Sequence, residues 1–249
     1  MLAKEDSNPE RSPRISVNKL ADYLSTASTT KRRAILRDQK FPKDSEIKVI
    51  YYNEAKQPIK KCFNNSSFTI DSITKSVQKL RSEIDELNSN QPETAEEVGK
   101  HKVKLQRKES CLEVLEIFLE NLGLIEKYKA HDFSSTLQNS FVEINGVKIS
   151  VDSDVIIKGT YRGKTYTGAL KLYFSKSNKL TSDMGKTISS VVYENLKEFY
   201  PDANSKHCFV YDVINAKMHF ASLSYAKKIQ EIRHACEDIA VLWPNIKKI

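Results

Sequence analysis

The sequence lacks the short motifs that mark several classes of enzyme. It has no glycine-rich phosphate loop, no Gly-x-Ser-x-Gly segment, and no His-x-His or His-Glu-x-x-His pair among its five histidines. These absences argue against loop-bound nucleotides, nucleophilic-serine hydrolysis and histidine-bound zinc. The cysteines are far apart and form no Cys-x-x-Cys pair, which favours reduced thiols over a disulfide framework or a zinc site. They are Cys62, Cys111, Cys208 and Cys236.

Long hydrophobic runs are also missing. No apolar stretch approaches the roughly 20 residues that a membrane-spanning helix needs. The first ten residues are charged and contain no apolar core of a signal peptide. We therefore expect a cytoplasmic globular protein with no membrane partner, built as one large domain or as a core with a smaller module.

Positive charge is abundant and unevenly placed. The net charge is +8, and residues 16–61 hold eleven Lys and Arg against five acids. A concentrated basic region predicts a polyanionic partner, and we expect nucleic acid, DNA ahead of RNA. The predicted phosphate contacts lie on a basic helix over 31–39: Lys31, Arg32, Arg33 and Arg37. The alternatives are a solvated basic face, or pairing with the acidic helix face formed by Glu109, Glu113, Glu116 and Glu120.

The N-terminal part divides into a tail and a helical module. Residues 1–14 are polar with two prolines and predict a disordered tail. Residues 15–98 predict a basic, mainly helical module that ends in a polar connection over 88–97. Its predicted elements are a helix over 17–24 capped by Ser16, a helix over 31–39 capped by Thr29 or Thr30, a strand over 47–52, and helices over 54–63 and 70–87.

Residues 99–249 predict a core with helices and strands. Asn145-Gly146 between the apolar segments 141–144 and 147–151 is a strong signal for a β-hairpin. The fold class is therefore α+β, an α/β sandwich around a mixed sheet. The other predicted elements are a long helix over 102–128, strands over 164–174 and 207–213, and helices over 184–199 and 224–242.

One lysine interrupts the apolar strand over 168–176. Lys171 needs a partner or a role there, because burying an unpaired ammonium costs several kcal/mol. Asp154 lies in the preceding apolar run, 151–157, and Asp152 would share its strand face by the two-residue alternation of a strand. These three residues predict either a metal-dependent phosphodiesterase site or a structural Lys–Asp pair across a hairpin.

Residues 102–213 resemble the PD-(D/E)XK nuclease superfamily. Ser153-Asp154 matches the "PD" position, and Ala169-Leu170-Lys171 matches the "(D/E)XK" position. The resemblance implies a restriction-endonuclease-like core in which Asp154 is a catalytic residue and, with Asp152, a ligand of Mg²⁺. In that family the lysine, here Lys171, orients or activates the attacking water and balances charge on the phosphate.

The match departs from the family at Ala169, where the second metal-binding acid would stand. Asp152 is the first substitute; the other acids considered are Glu113, Glu116, Glu194 and Asp212. Three functions stay open. One is a Mg²⁺-dependent endonuclease in bacterial anti-phage defence or mobile-element biology. Another is a non-catalytic subunit that binds nucleic acid or assembles with a protein partner in a multi-subunit system. A scaffold with an acidic protein partner is a third alternative.

Three segments are also similar to bacterial proteins that have no assigned function. The segments are 20–24, 31–42 and 168–176. This similarity predicts a bacterial setting and nothing about the chemistry.

Overall fold

The computed structural model describes residues 12–42, 51–64, 67–90, 92, 94–126, 132–134 and 140–248. Its helices are α1 (Val17–Ser25), α2 (Thr29–Lys40), α3 (Asn53–Cys62), α4 (Asp71–Ser89), α5 (Ala95–Glu120), α6 (Gly123–Glu126), α7 (Ser182–Lys197) and α8 (Tyr225–Leu242), followed by a 3-10 turn, Trp243–Asn245. Its strands are β1 (Arg14–Ser16), β2 (Phe63–Asn64), β3 (Ser67–Phe68), β4 (Asp132–Ser134), β5 (Phe141–Ile144), β6 (Val147–Ser150), β7 (Val155–Tyr161), β8 (Lys164–Tyr173), β9 (Ala203–Asp212) and β10 (Lys217–Phe220).

The central sheet is mixed, which confirms the predicted α+β class. Its strand order is β10-β9-β8-β7-β4. Strands β7 and β8 form an antiparallel hairpin whose turn, Arg162-Gly163, has positive φ at both residues. Strand β9 runs parallel to β8, because α7 connects them as a crossover helix.

Both faces of this sheet are covered, so β8 is buried along most of its length. Alternate residues of β8 enter two different hydrophobic clusters. Leu170 and Leu172 belong to the cluster that includes α3, α4 and α5. Ala169 and Tyr173 belong to the cluster that includes α7 and α8. Lys171 has the parity of Ala169 and therefore leaves the strand on the α7 face.

The predicted hairpin at Asn145-Gly146 is confirmed. Strands β5 and β6 pair antiparallel, and the two turn residues have φ of 46° and 74°. The third strand of this small sheet is β1, which pairs parallel to β6 with Arg14 opposite Lys148. The prediction of a disordered tail over 1–14 is therefore wrong at Arg14; residues 1–11 lie outside the described part of the chain.

Most predicted helices are present with shifted ends. Ser16 caps α1 as predicted, whereas Ser28, and not Thr29 or Thr30, caps α2. The long helix begins earlier than predicted, because Thr94 and Glu97 form a reciprocal capping box. It also stops at Glu120, before the short helix α6, instead of continuing to residue 128.

The helices on both sides of the predicted domain boundary pack into one hydrophobic cluster. Helices α4 and α5 lie on either side of the connection over 88–97, and they contribute to the same buried cluster as the central sheet. Strand β10 was missed by the sequence analysis. Of the predicted strand over 47–52, residues 47–50 lie outside the described residues, and Tyr51 and Tyr52 form a turn before α3.

Candidate functional site at the end of the β7–β8 hairpin

The site lies just before β7 begins, where β8 continues without a paired strand on that side. The last paired residues are Val155 and Leu170, so Asp154 stands opposite Lys171 by the same register. Asp154 extends the ladder by one hydrogen bond, from its backbone N to the carbonyl of Leu170 at 2.8 Å. Its carboxylate Oδ2 then accepts from the backbone N of Leu172, also at 2.8 Å. The side chain thus replaces the missing strand as the partner of a buried backbone donor.

The other carboxylate oxygen of Asp154 faces two lysines of α3. The ammonium of Lys56 lies 2.7 Å from Oδ1, and that of Lys60 lies 3.8 Å from the same atom. The Asp154 side chain is only 2 % exposed, so its charge needs these cations. Helix α3 can supply both because Lys56 and Lys60 are one turn apart, on the side next to its buried residues Ala55 and Ile59.

Lys171 is buried on the neighbouring strand, opposite Asp154. The residue is 6 % exposed, and its ammonium donates to the backbone carbonyl of Asp152 at 2.8 Å. Burial lowers the pKa of Lys171 below its usual value, because the charged form loses hydration. The charge of Asp154 opposes this shift, whereas the positive charge of Lys56 adds to it.

The structure therefore brings Asp154 and Lys171 together but places Asp152 differently. Residues 151–153 are not in a strand and the chain bends at Asp154, so the prediction that Asp152 and Asp154 share a strand face is wrong. Asp152 is exposed, and it is its carbonyl that Lys171 contacts. The alternation of a strand fails here because residues 151–154 do not continue β7, and the Asp154 side chain instead accepts a hydrogen bond from the backbone of β8.

Ala169 stands at a position that is packed into the apolar core. It is fully buried in the apolar cluster beneath α7. A carboxylate there would lose its hydration, and Lys171, the cation two residues along the same strand face, already donates to the carbonyl of Asp152. The residue at the predicted position of the second metal-binding acid is thus part of the core.

The other acids considered as metal ligands are engaged elsewhere. Each has a partner of its own in the structure, and none of these partners belongs to the Asp154 cluster. Glu113 pairs with Lys176, Glu116 with Arg81, Glu194 with Lys197, and Asp212 accepts two hydrogen bonds from Asn215. The contacts of Glu113 and Glu116 also show that these two acids do not neutralise the basic helix α2.

The donor set at Asp154 does not fit a magnesium ion. Mg²⁺ needs carboxylate oxygens that can turn toward it, but both oxygens of Asp154 already accept from groups of the chain. The cluster of Lys56, Lys60, Lys171, Asp152 and Asp154 has more cations than anions, which favours an anionic ligand. Among the residues that the structure describes, no group of three or more His, Cys, Asp or Glu could hold a metal.

Lys56 and Lys60 are the site residues that sequence reasoning missed. Both were counted in the basic segment, but no local pattern connects α3 with a bend far along the chain. Their spacing of four residues beside an apolar face predicts only that they lie together.

The basic helix α2 uses its cations in different ways. Arg32 is half-buried, and its Nε donates to the backbone carbonyls of Tyr23 and Thr26 at 3.2 and 2.9 Å. It therefore holds the connection between α1 and α2. Lys31 and Arg33 are exposed, and Arg37 is half-buried.

No helix among the described residues is long and apolar enough to cross a membrane. No family model and no curated protein matches the chain.

Proposed function

We propose that the protein binds nucleic acid through its phosphates, on a nuclease-like core that uses lysines where a nuclease would hold a metal ion. We call the group of Lys56, Lys60 and Lys171 around Asp154 the lysine notch. The observation that carries the proposal is the ion pair between Lys56 and Asp154. The ammonium of Lys56 binds the carboxylate that the resemblance assigns to Mg²⁺.

The order of elements supports a nuclease-like core. A long helix, α5, precedes the antiparallel hairpin β7–β8, and the crossover helix α7 leads to the parallel strand β9. Asp154 and Lys171 stand opposite each other at the open end of that hairpin, as the matched motif implies. The extra strands β4 and β10 extend the sheet at its two edges.

The lysine notch has donors to offer a phosphate. Lys60 is 3.8 Å from Asp154, which is too long for a hydrogen bond. The carboxylate therefore does not use up the N–H groups of Lys60, whose side chain is 28 % exposed. A phosphate at this position would face an excess of positive charge beside a buried and partly desolvated lysine.

Salt-dependent binding tests this proposal. Wild-type protein should bind a labelled DNA duplex or single strand with an affinity that falls steeply with salt. Lys60→Gln should weaken binding at low salt and flatten the slope of log K against log salt by about 0.7–0.9, the release of one phosphate counterion. Lys186→Gln is the control, because Lys186 is exposed on α7 and is not one of the lysines that face Asp154. Equal losses in both variants, or no binding by the wild type, would contradict the proposal.

An endonuclease is the second candidate, favoured by the adjacency of Asp154 and Lys171. If this candidate is right, DNA or RNA is cleaved with Mg²⁺ or Mn²⁺, and Lys171→Ala reduces the rate by two to three orders of magnitude, roughly the effect of one transition-state charge. Asp154→Asn should do the same. If the wild type cleaves nucleic acid and both variants lose this activity, the endonuclease replaces the metal-free proposal. A role in anti-phage defence or mobile-element biology stays a prediction.

A further inference from the structure

A second basic pocket lies between α2 and the C-terminal turn, away from the lysine notch. It has a volume of about 280 Å³ and is lined by Arg33, Arg37, Leu242, Asn245, Ile246 and Lys247. Three of these six residues are cations, and the lining contains no acid. The nearest acid on α2, Asp38, lines a different pocket with Arg14 and Lys148.

The pocket is held in shape by the fold. Leu36 of α2 and Trp243 of the turn are buried in the same hydrophobic cluster. The ammonium of Lys40 donates to the carbonyl of Trp243 at 2.8 Å, which fixes the turn against the end of the helix. Arg33 and Arg37 are one helical turn apart, so both line the side of α2 next to this turn.

Arg37 has a buried donor that the described residues leave unused. Its Nε is inaccessible to solvent and has no hydrogen-bond partner among them. A buried donor of a charged group without an acceptor is costly, and the described part of the chain does not tie the Arg37 guanidinium to a carbonyl or a carboxylate through this nitrogen. The guanidinium fork suits a carboxylate or a phosphate, and a second arginine, a lysine and the Asn245 amide favour a doubly charged ligand.

We propose that this pocket binds a terminal phosphate group through Arg33, Arg37, Asn245 and Lys247. The group is carried either by the end of a nucleic acid or by a small phosphorylated molecule. The site is separate from the lysine notch, and it can be tested with a ligand that is not a nucleic acid.

Calorimetric titration with inorganic pyrophosphate tests the site directly. The wild type should bind it, and Arg37→Gln and Lys247→Gln should each weaken binding by roughly tenfold, the loss of one charge-assisted hydrogen bond. Lys31→Gln is the control, since Lys31 is exposed on the same helix and does not line the pocket. Lys247 is exposed, so its variant should keep the wild-type thermal melt even if Arg37→Gln does not.

Two oligonucleotides distinguish the sources of the phosphate. A 3′-labelled single strand with a 5′-phosphate should bind more tightly than the same strand with a 5′-hydroxyl, and Lys247→Gln should remove the difference, if the ligand is the end of a nucleic acid. Equal binding of the two strands, with pyrophosphate binding retained, assigns the pocket to a small phosphorylated molecule. If the wild type does not bind pyrophosphate and shows no preference for the phosphorylated end, the proposal is wrong. This outcome does not depend on whether the lysine notch binds DNA.

Discussion

Two helices from the same basic segment use their cations in opposite ways. On α3, Lys56 and Lys60 direct their ammonium groups to Asp154, a carboxylate that is almost fully buried. On α2, Arg33 and Arg37 line a pocket whose walls contain no acid. Each helix carries several basic residues and a single acid, so an excess of positive charge alone does not separate cations that stabilise the fold from cations that are available to a ligand.

The difference lies in what each helix packs against. Helix α3 lies over the open end of the β7–β8 hairpin, where β8 has a backbone donor that only Asp154 satisfies. That acid then requires cations of its own. Helix α2 packs against the C-terminal turn, where Lys40 donates to the carbonyl groups of Trp243 and Pro244. The pocket that Arg33 and Arg37 line beside this turn has no acid among the described residues of its walls.

Removing Asp154 should have the largest effect. Asp154→Ala leaves Lys56, Lys60 and Lys171 close together without their central anion and leaves the Leu172 N–H without its acceptor. We expect a loss of about 3–5 kcal/mol in the free energy of unfolding, typical of breaking a buried ion pair. Urea denaturation measures it, with Asp152→Ala as the control at an exposed side chain. Similar stabilities for the two variants would show that Asp154 does not hold the lysines.

The two lysines of α3 should contribute unequally. Lys56→Ala removes the ammonium at 2.7 Å from Asp154 and should cost about 1–3 kcal/mol, the range for a hydrogen bond to a charged group. Lys60→Ala removes the one at 3.8 Å and should cost less than about 1 kcal/mol, as for a partly exposed pair. Denaturation of both variants gives the ratio. An equal loss would mean that Lys60 is as structural as Lys56, and that it is not the lysine available to phosphate.

On α2 the same comparison separates Arg32 from Arg33. Arg32→Ala breaks two hydrogen bonds to backbone carbonyls, and we expect a loss of about 1–2 kcal/mol. Arg33→Ala should leave stability unchanged and weaken binding of pyrophosphate. Thermal melts and titrations of both variants test this assignment. A stable Arg32→Ala variant that lost only its affinity for nucleic acid would restore Arg32 to the binding surface.

Much of the fold could be predicted because its signals are local. Asn145-Gly146 specifies its own turn, and Ser16 caps the helix that follows it. The capping box of Thr94 and Glu97 was equally local, and it could have been found from the spacing alone. The parallel pairing of β1 with β6 could not, because no local pattern selects a partner strand so far along the chain.

The candidate site was only half predictable for the same reason. Lys171 was found because a lysine within an apolar strand violates the local pattern. Asp154 was found by its place in a motif, but its geometry was misjudged, since alternation was assumed where the chain bends. Lys56 depends on tertiary packing of α3 over the sheet, for which a single sequence contains no signal.

Lys171 gives the subtlest test, because burial disfavours its charged form. Burial lowers its pKa in the folded state, whereas in the unfolded chain it titrates near its usual value of about 10.5. Between these two values the unfolded state binds more protons, so its titration makes the folded state more stable as pH rises.

We therefore expect the unfolding free energy of wild type minus that of Lys171→Met to increase with pH inside this window and to be constant below it. The slope for one proton cannot exceed about 1.4 kcal/mol per pH unit. Tyrosines and cysteines that titrate in the same range are present in both proteins, so the subtraction removes their contribution. Urea denaturation of both proteins from neutral pH to about pH 10.5 measures the difference. A difference that falls with pH would mean that Asp154 stabilises the Lys171 ammonium more than burial destabilises it, and that Lys171, like Lys56, is a structural counterion.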